Sequence, residues 1–293
     1  MLTLQIVLSG VLLGGLYGCM AIGFSVIWGV NGLINLAHGS MILIGAYITW
    51  WLHTTTGIDP FLTLPVSASM LFVLGVGLQR MLLERVIRSS LFMTLVLTFG
   101  LNMLLVNVLL QTFSADVRAV TMPYASAALE IGGIRLTWTR ILVFAIALAL
   151  TGLLHLFMSR TRTGQAIHAV AQNPRAAATL GIDVRHVRSV AFGIGAALAG
   201  SAGTLMAALY SFSPISGDSL TMKSFVIVLL GGLGSMSGAI AAAVVLGVCE
   251  NLVSGLGAPG LRDAVSFVIL LLILLLRPSG LFGARHPGQA RAR

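Results

Sequence analysis

Hydrophobic residues occupy most of this chain in long runs, which short polar clusters separate. Most of these runs approach the length of about twenty residues with which an α-helix crosses a bilayer. An outer-membrane barrel would instead alternate apolar and polar residues over roughly ten-residue segments. The pattern predicts crossings at Leu2–Trp28, Leu33–His53, Phe61–Gln79, Leu91–Phe113, Thr139–Ser159, Ser189–Tyr210 and Asp263–Leu276.

Two apolar segments are interrupted by small and polar residues. The first interruption follows the first crossing, and the second divides Lys223–Leu252, where we predict two half-helices joined within the membrane. Paired broken segments favour a translocation path, because unwound backbone is tolerated in a bilayer only where protein or water satisfies it. Close helix packing explains the glycines equally well. The candidate path residues are Asn31, Asn35, His38, Gly39, Gly45, Gly231, Gly232, Gly234, Ser235 and Gly238.

Composition agrees with this pattern, since 57% of residues are hydrophobic and 9% are charged. The chain is therefore predicted to be an all-α integral membrane protein, a polytopic helical bundle with about seven to nine transmembrane segments including broken or re-entrant helices. The first charged residue is Asp59, so the opening apolar segment has no basic signal-peptide region and is expected to remain in the mature chain.

The net charge of +9 comes mainly from arginines in three segments, which are predicted to be cytoplasmic. The number of crossings between these cytoplasmic segments then places the N-terminus outside. It also makes Lys223–Leu252 a re-entrant hairpin that returns to the side it left. Asp218 and Lys223 are assigned to the outer connections, and Glu250 to an interfacial position. The basic residues are Arg80, Arg85, Arg88, Arg160, Arg162, Arg175, Arg185, Arg188, Arg277, Arg285, Arg291 and Arg293. This charge pattern indicates topology, so a nucleic-acid partner is not expected.

No catalytic or metal-binding constellation is visible in the sequence. Cys19 and Cys249 lie in separate apolar runs, and the six histidines are scattered, so neither a metal ion nor a bound cofactor is expected. The single lysine, Lys223, follows Met222, which excludes a Walker A motif. Any ATP would have to be hydrolysed by another chain.

A polar segment at 160–188 carries its own helix signals. Asn173 and Pro174 can start a short helix, Gly181 can end it, and Asp183 can cap the next run. A connecting loop would not need these signals, so we interpret the segment as a docking platform. The stretch 284–293, rich in arginine and alanine, is expected to be a disordered tail that contacts anionic lipid.

Four ordered motifs carry a family resemblance: VNGLINLAHGSMILIGAYI, GQAIHAVAQNPRAAATLGIDVRHVRSVAFGIGAALAG, LLGGLGSMSGAIAAAVVLG and RPSGLFG. Together they resemble the permease subunits of branched-chain amino acid ABC importers, from the first apolar segment to Gly283. The INLAHG motif resembles that of the shorter LivH-type subunit rather than that of its LivM-type partner. Permeases for urea and short amides resemble the same family, so the solute stays open.

The resemblance implies a type II importer in the bacterial inner membrane, with a translocation domain over 1–283 and a cytoplasmic C-terminus. It also implies a LivM-like second permease, two cytoplasmic ATPases and a periplasmic binding protein. The family's coupling loop corresponds to 164–181. The coupling candidates are Gly164, Gln165, Ala166, His168, Ala169, Val170, Asn173, Pro174, Arg175, Ala176, Ala177, Leu180 and Gly181.

A different class of protein is also compatible with the broken segments. A stand-alone secondary transporter or channel would use His38 and Glu250 as coupling groups and would need no ATPase. The scarcity of ionisable residues at membrane depth and the structured polar segment argue against that alternative. A membrane enzyme has less support, because no catalytic groups converge.

Overall fold

The computed structural model describes residues 2–86, 90–131, 133–276 and 280. Within them the chain forms a bundle of α-helices with one small β-hairpin. The helices are α1 (Leu2–Asn31), α2 (His38–Thr56), α3 (Leu64–Leu78), α4 (Glu84–Val86), α5 (Leu91–Phe113), α6 (Trp138–Arg160), α7 (Arg162–Gln172), α8 (Pro174–Thr179), α9 (Val184–Ala207), α10 (Gly217–Gly231), α11 (Met236–Gly255) and α12 (Arg262–Leu276). The hairpin pairs β1 (Ala128–Ile131) with antiparallel β2 (Ile134–Thr137).

Six helical stretches of the described residues are long and apolar enough to cross a membrane, which confirms a polytopic helical membrane protein. The stretches are Thr3–Asn31, Pro60–Val86, Leu91–Phe113, Trp138–Arg160, Val184–Ala207 and Met236–Gly255. Helices α2, α10 and α12 are more polar or shorter, yet they pack against the same bundle. Both predicted interruptions exist, because the chain leaves helical structure after Asn31 and after Gly231.

The connections separate onto two ends of the bundle. At one end, called the basic end here, Arg80 from the helical stretch after α3 lies 3.5 Å from His186 of α9, and α7 contacts α1. At the other, called the far end, the backbone of Arg118 pairs with Phe212, and His53 bonds to the carbonyl of Thr121. This grouping matches the segregation of charge along the chain. Arg88, Arg277 and the predicted tail 284–293 lie outside the described residues.

Helix α11 corrects one sequence-based expectation. It runs antiparallel to α1, with Val248 against Gly10 and Val244 against Gly14, and it covers almost the whole of α1. The chain leaves the far end before α10 and returns to it through α11, as expected, but the turn between the two helices reaches the basic end, where Gly234 lies beside Gly29, instead of stopping at half depth. Small residues allow this close contact, since a Cβ on Gly10 would lie 2.6 Å from the Cα of Val248.

Helix α9 lies at the centre, where it contacts α1, α2, α3 and α6. Buried hydroxyl groups join it to its neighbours, because the Thr204 hydroxyl lies 2.8 Å from that of Thr49 and 2.7 Å from that of Ser67. Inside a bilayer such groups need partners within the protein. These hydroxyl contacts, with the close approach of Gly45 to Gly200 and of Gly75 to Ala196, hold α2 and α3 against α9.

Candidate translocation path

Helices α2 and α10 begin beside each other inside the bundle. The backbone N–H of Gly39 donates to the Thr221 hydroxyl at 2.8 Å, and the same hydroxyl lies 3.2 Å from the carbonyl oxygen of Leu36. Even a methyl group on Gly39 would overlap the Gly217 carbonyl oxygen, so this contact requires glycine. The two helix starts thus form one packed unit.

A hydrogen-bonded chain of side chains extends this contact to α5. The Ser40 hydroxyl donates to Asn102 Oδ1 at 2.5 Å, and Asn102 Nδ2 donates to Asp218 Oδ1 at 2.9 Å. Ser40 and Asn102 are buried, whereas Asp218 is exposed on the surface of this chain. We call the set of Gly39, Ser40, Asn102, Gly217, Asp218 and Thr221 the central junction.

The central junction lies at half depth. Asn102 is midway along α5, a helix long enough to span the membrane. Non-helical chain at 32–37 leads to the start of α2, and non-helical chain at 208–213 followed by a short 3-10 turn, Pro214–Ser216, leads to the start of α10. Irregular backbone at membrane depth is tolerated only where protein or water surrounds it, so the junction is the structure's best candidate for part of a path.

A second polar set, called the buried ion cluster here, joins α1, α10, α11 and α12. The Lys223 ammonium lies 3.1 Å from Glu250 Oε1 and 2.9 Å from Asp263 Oδ1, and Arg262 Nε lies 3.2 Å from Glu250 Oε2. Tyr17 donates its hydroxyl hydrogen to Glu250 at 2.5 Å. Glu250 is 0% exposed, and four groups, those of Lys223, Arg262, Tyr17 and Ser266, pair its carboxylate.

These positions overturn two assignments made from the sequence and add to a third. Glu250 lies five residues before the end of α11 and is fully buried in the bundle, and Lys223 is buried against Tyr17 rather than lying in an outer connection. Asp218 likewise sits at half depth beside Asn102. The assignments failed because charge pairing between distant helices lets an ionised side chain occupy membrane depth, and linear sequence does not show the pair.

A cavity of about 320 Å³ lies between α10 and the start of α12. Its polar wall includes Ser219, Lys223, Arg262 and Asp263, and its apolar wall includes residues of α1, Leu16 and Met20 among them. The volume falls within the range of about 300–1,000 Å³ that is typical of small-molecule sites. Among the described residues, no group of three His, Cys, Asp or Glu could hold a metal ion.

Of the candidates at the first interruption, Gly39 belongs to the central junction, and Asn35 and His38 lie just before it in the chain. Asn35 accepts from the N–H of Ala37 at 3.1 Å, and His38 bonds through Nε2 to the Met20 carbonyl oxygen at 3.0 Å. Asn31 is buried, and its side-chain amide has no hydrogen-bond partner among the described residues. Gly45 packs directly on the Gly200 backbone, so close helix packing explains this glycine.

The second group lies elsewhere, at the turn between α10 and α11. Gly231 and Gly238 face each other so closely that a Cβ on either would overlap the other's backbone. Gly232 and Gly234 have φ values of +93° and +81°, which favour glycine, and Ser235 caps α11 by accepting from the N–H of Gly238. This turn lies close to Gly29, near the end of α1, and it is not part of the central junction.

The polar segment at the basic end folds as the sequence predicts. Thr161 caps α7, Asn173 caps α8 by accepting from the N–H groups of Arg175 and Ala176, and Asp183 caps α9. Gly181 ends the short helix with a φ of +81°. The three caps and the glycine give this segment a defined shape.

The coupling candidates divide between two faces of this segment. Buried against the bundle are Gly164, Val170 and Ala177, while Ala166 and Ala169 are half-buried. The exposed candidates are Gln165, His168, Asn173, Pro174, Arg175, Ala176, Leu180 and Gly181. Leu180 is 79% exposed, which makes it the most accessible large apolar side chain of the segment.

Sequence reasoning missed the residues that form the central junction with α2. It proposed no role on the path for Ser40, Asn102, Asp218 or Thr221. A signal existed, because Asp218 lies one residue after Gly217 at the start of an apolar run, where polar residues begin a helix. The depth of Asp218 in the membrane could not be predicted from the sequence, since the segment 208–216 resembles an ordinary loop.

Comparison with known proteins finds similarity to membrane permeases, in agreement with the helical bundle described above. A family model described as the permease component of the branched-chain amino acid transport system matches residues 6–274. The high-affinity branched-chain amino acid transport system permease BraD of Pseudomonas aeruginosa is 30% identical, with 96% of this chain and 95% of that protein covered. LivH of Escherichia coli is 31% identical over the same shares. LivM of Escherichia coli is 29% identical, and the match covers 93% of this chain but 69% of LivM.

Proposed function

This chain belongs to the family of branched-chain amino acid transport permeases, and we propose from this premise that it forms the translocation path of an ATP-driven importer. The observation that carries the proposal is the family match over residues 6–274, which includes nearly the whole helical bundle. Its cargo would be a branched-chain or related hydrophobic amino acid, as the names of BraD and LivH state for those proteins.

The assembly follows from the same premise. A LivM-like second permease would complete the path, and the existence of LivM as a related permease supports this pairing. Two ATPases would dock at the basic end, which would then face the cytoplasm in the bacterial inner membrane, because arginine-rich connections remain on that side. A periplasmic binding protein would deliver substrate to the far end.

The segment containing α7 and α8 would transmit ATPase movements to the bundle. Its inner face is anchored by Ile167 and Val170, which are 1% exposed each, while Arg175 and Leu180 remain available to a partner. A capped segment with one buried and one exposed face can move as a rigid unit, because its helix ends do not fray when a partner pulls on it. This geometry supports a coupling role.

Reconstitution in liposomes tests the function. The complete complex would contain this chain, a LivM-like permease, two ATPases and a binding protein, and the measurement is ATP-dependent uptake of labelled leucine against urea and short amides. We expect leucine uptake that requires every component. Uptake of urea or amides alone would contradict the cargo, and ATP-independent flux through this chain alone would contradict the importer.

The coupling role has its own test within the same complex. We expect Leu180→Asp to reduce leucine uptake and substrate-stimulated ATPase activity at least tenfold, because a carboxylate replaces an exposed apolar contact. Thr179→Asp is the matched control, since Thr179 is also exposed and adjacent but offers no large apolar side chain. Normal stimulation in an assembled Leu180→Asp complex would contradict the coupling role.

A further inference from the structure

Asp218 is an exposed carboxylate at half depth of a membrane protein. Asn102, which is 7% exposed and midway along α5, donates to it at 2.9 Å, and Ser40 in turn donates to Asn102. Among the described residues Asp218 takes part in none of the ion pairs, unlike Glu250 and Asp263. The carboxylate is therefore held in place by a neutral amide, with no cation beside it among the described residues.

An ionised side chain in this position excludes lipid as its neighbour. A charge at the centre of a bilayer is costly, and such residues face a bundle interior or a water-filled cavity. Snorkelling does not relieve this cost, because an aspartate side chain is short and Asn102 already orients it. The surface around Asp218 must consequently face protein or water in the assembled transporter.

The neighbours of Asp218 have mixed chemistry that suits an amino acid. Ser219 is exposed and borders the 320 Å³ cavity, and Ile215, in the short 3-10 turn that precedes α10, is 68% exposed. On α5, Phe99 lies one helical turn before Asn102 and Met103 directly after it, and both side chains are exposed. A carboxylate beside exposed apolar side chains can meet both the ammonium group and the side chain of a hydrophobic amino acid.

We propose that Asp218, oriented by Asn102, lines the translocation path and makes the transient contact with the ammonium group of the passing amino acid. This proposal rests on the proposed function and names one contact within its path. A charge-assisted hydrogen bond is stronger than a neutral one, yet a single contact remains weak enough to release the cargo. The carboxylate would also disfavour anions that lack an ammonium group.

Thiol accessibility tests whether this surface is wet. The chain has two cysteines, so Cys19→Ala/Cys249→Ala supplies a cysteine-free background for the complete complex in liposomes. Ser219→Cys is compared with Leu148→Cys, an exposed position near the middle of α6, using a charged, membrane-impermeant methanethiosulfonate. We expect Ser219→Cys to react at least tenfold faster. Equal, slow reaction at both positions would overturn the path assignment.

Leucine uptake by complexes that carry one of two Asp218 variants tests the contact with the ammonium group. We expect Asp218→Asn, which removes the charge at constant shape, to reduce ATP-dependent leucine uptake about tenfold, the loss of one charge-assisted contact. Asp218→Glu keeps the charge and is expected to lose less than threefold. Size-exclusion chromatography measures whether each variant assembles, since failed assembly of Asp218→Asn would instead assign the carboxylate to a contact with the second permease and overturn the proposal.

The two proposals fail in different ways. If the unsubstituted complex does not take up leucine, the proposed function is wrong, whatever Asp218 does. If that complex transports leucine and assembled Asp218→Asn transports it equally fast, the ammonium contact is wrong and the importer stands.

Discussion

Helix α10 contributes to two polar clusters. One pairs its carboxylates with cations, and the other holds a carboxylate that has no cation beside it in the part of the chain that the structure describes. In the buried ion cluster, Lys223 and Arg262 face Glu250 and Asp263, and the carboxylate of Glu250 is 0% exposed. In the central junction, Asp218 has one neutral donor and is exposed. The two clusters are only a few residues apart along α10. They therefore differ in whether the carboxylate has a cation as its partner, and not in their place along the helix.

The difference indicates separate roles for the two clusters. A buried carboxylate with two cations and two hydroxyl donors stabilises one arrangement of four helices, because leaving any member unpaired is costly. An oriented, unpaired carboxylate stabilises little but remains available to a ligand. We therefore expect substitutions in the ion cluster to affect folding and those at Asp218 to affect transport. Four stability measurements test this comparison.

Glu250→Gln should have the largest effect on stability. It leaves Lys223 and Arg262 without their buried carboxylate, and we expect a loss of about 3–5 kcal/mol in unfolding free energy. The measurement is denaturant unfolding in detergent micelles. Lys223→Met/Glu250→Gln should lose less than Glu250→Gln alone, and a larger loss in the double variant would contradict the pairing.

Gly39→Ala should have the next largest effect, because its methyl group would overlap the Gly217 carbonyl oxygen and push α2 from α10. Overpacking of this kind costs about 1–3 kcal/mol. Gly77→Ala is the control, since no atom lies within 4 Å of a Cβ built there and alanine favours helix. Equal melting temperatures for the two variants would show that the junction tolerates separation.

Asn102→Ala removes the two side-chain hydrogen bonds that join α5 to the central junction. We expect a stability loss of about 1 kcal/mol, since interhelical hydrogen bonds in membranes are individually modest. Unfolding in the same micelles measures it, with Asn107→Ala as the control because Asn107 bonds only to its own helix. A loss as large as that of Glu250→Gln would remove the distinction between the clusters.

Asp263→Asn should have the smallest effect within the ion cluster. Its side chain is 64% exposed, so its 2.9 Å contact with Lys223 is screened by solvent and contributes at most about 1 kcal/mol. The unfolding midpoint should stay close to that of the unsubstituted protein. A loss of several kcal/mol would show that Lys223 depends on Asp263 as strongly as on Glu250.

Much of the fold was predictable from local chemistry. Hydrophobic runs predicted the long helices, and the signals at Asn173, Gly181 and Asp183 predicted α8 and the start of α9, because caps depend on neighbours a few residues away. The break at Gly232 and Gly234 was equally local. The path candidates named from the sequence remain predictions, and the structure adds Asp218 and Asn102 to them.

The sequence by itself determined the class of protein, the positions of the two interruptions and the separation of charge between the ends of the bundle. Only the tertiary structure decided that α11 runs the length of α1, that Glu250 is buried and that Asp218 lies at half depth beside Asn102. The physical reason is the range of each interaction. Hydrophobic runs and helix caps act between near neighbours, whereas ion pairs and glycine contacts join residues that are far apart in the chain.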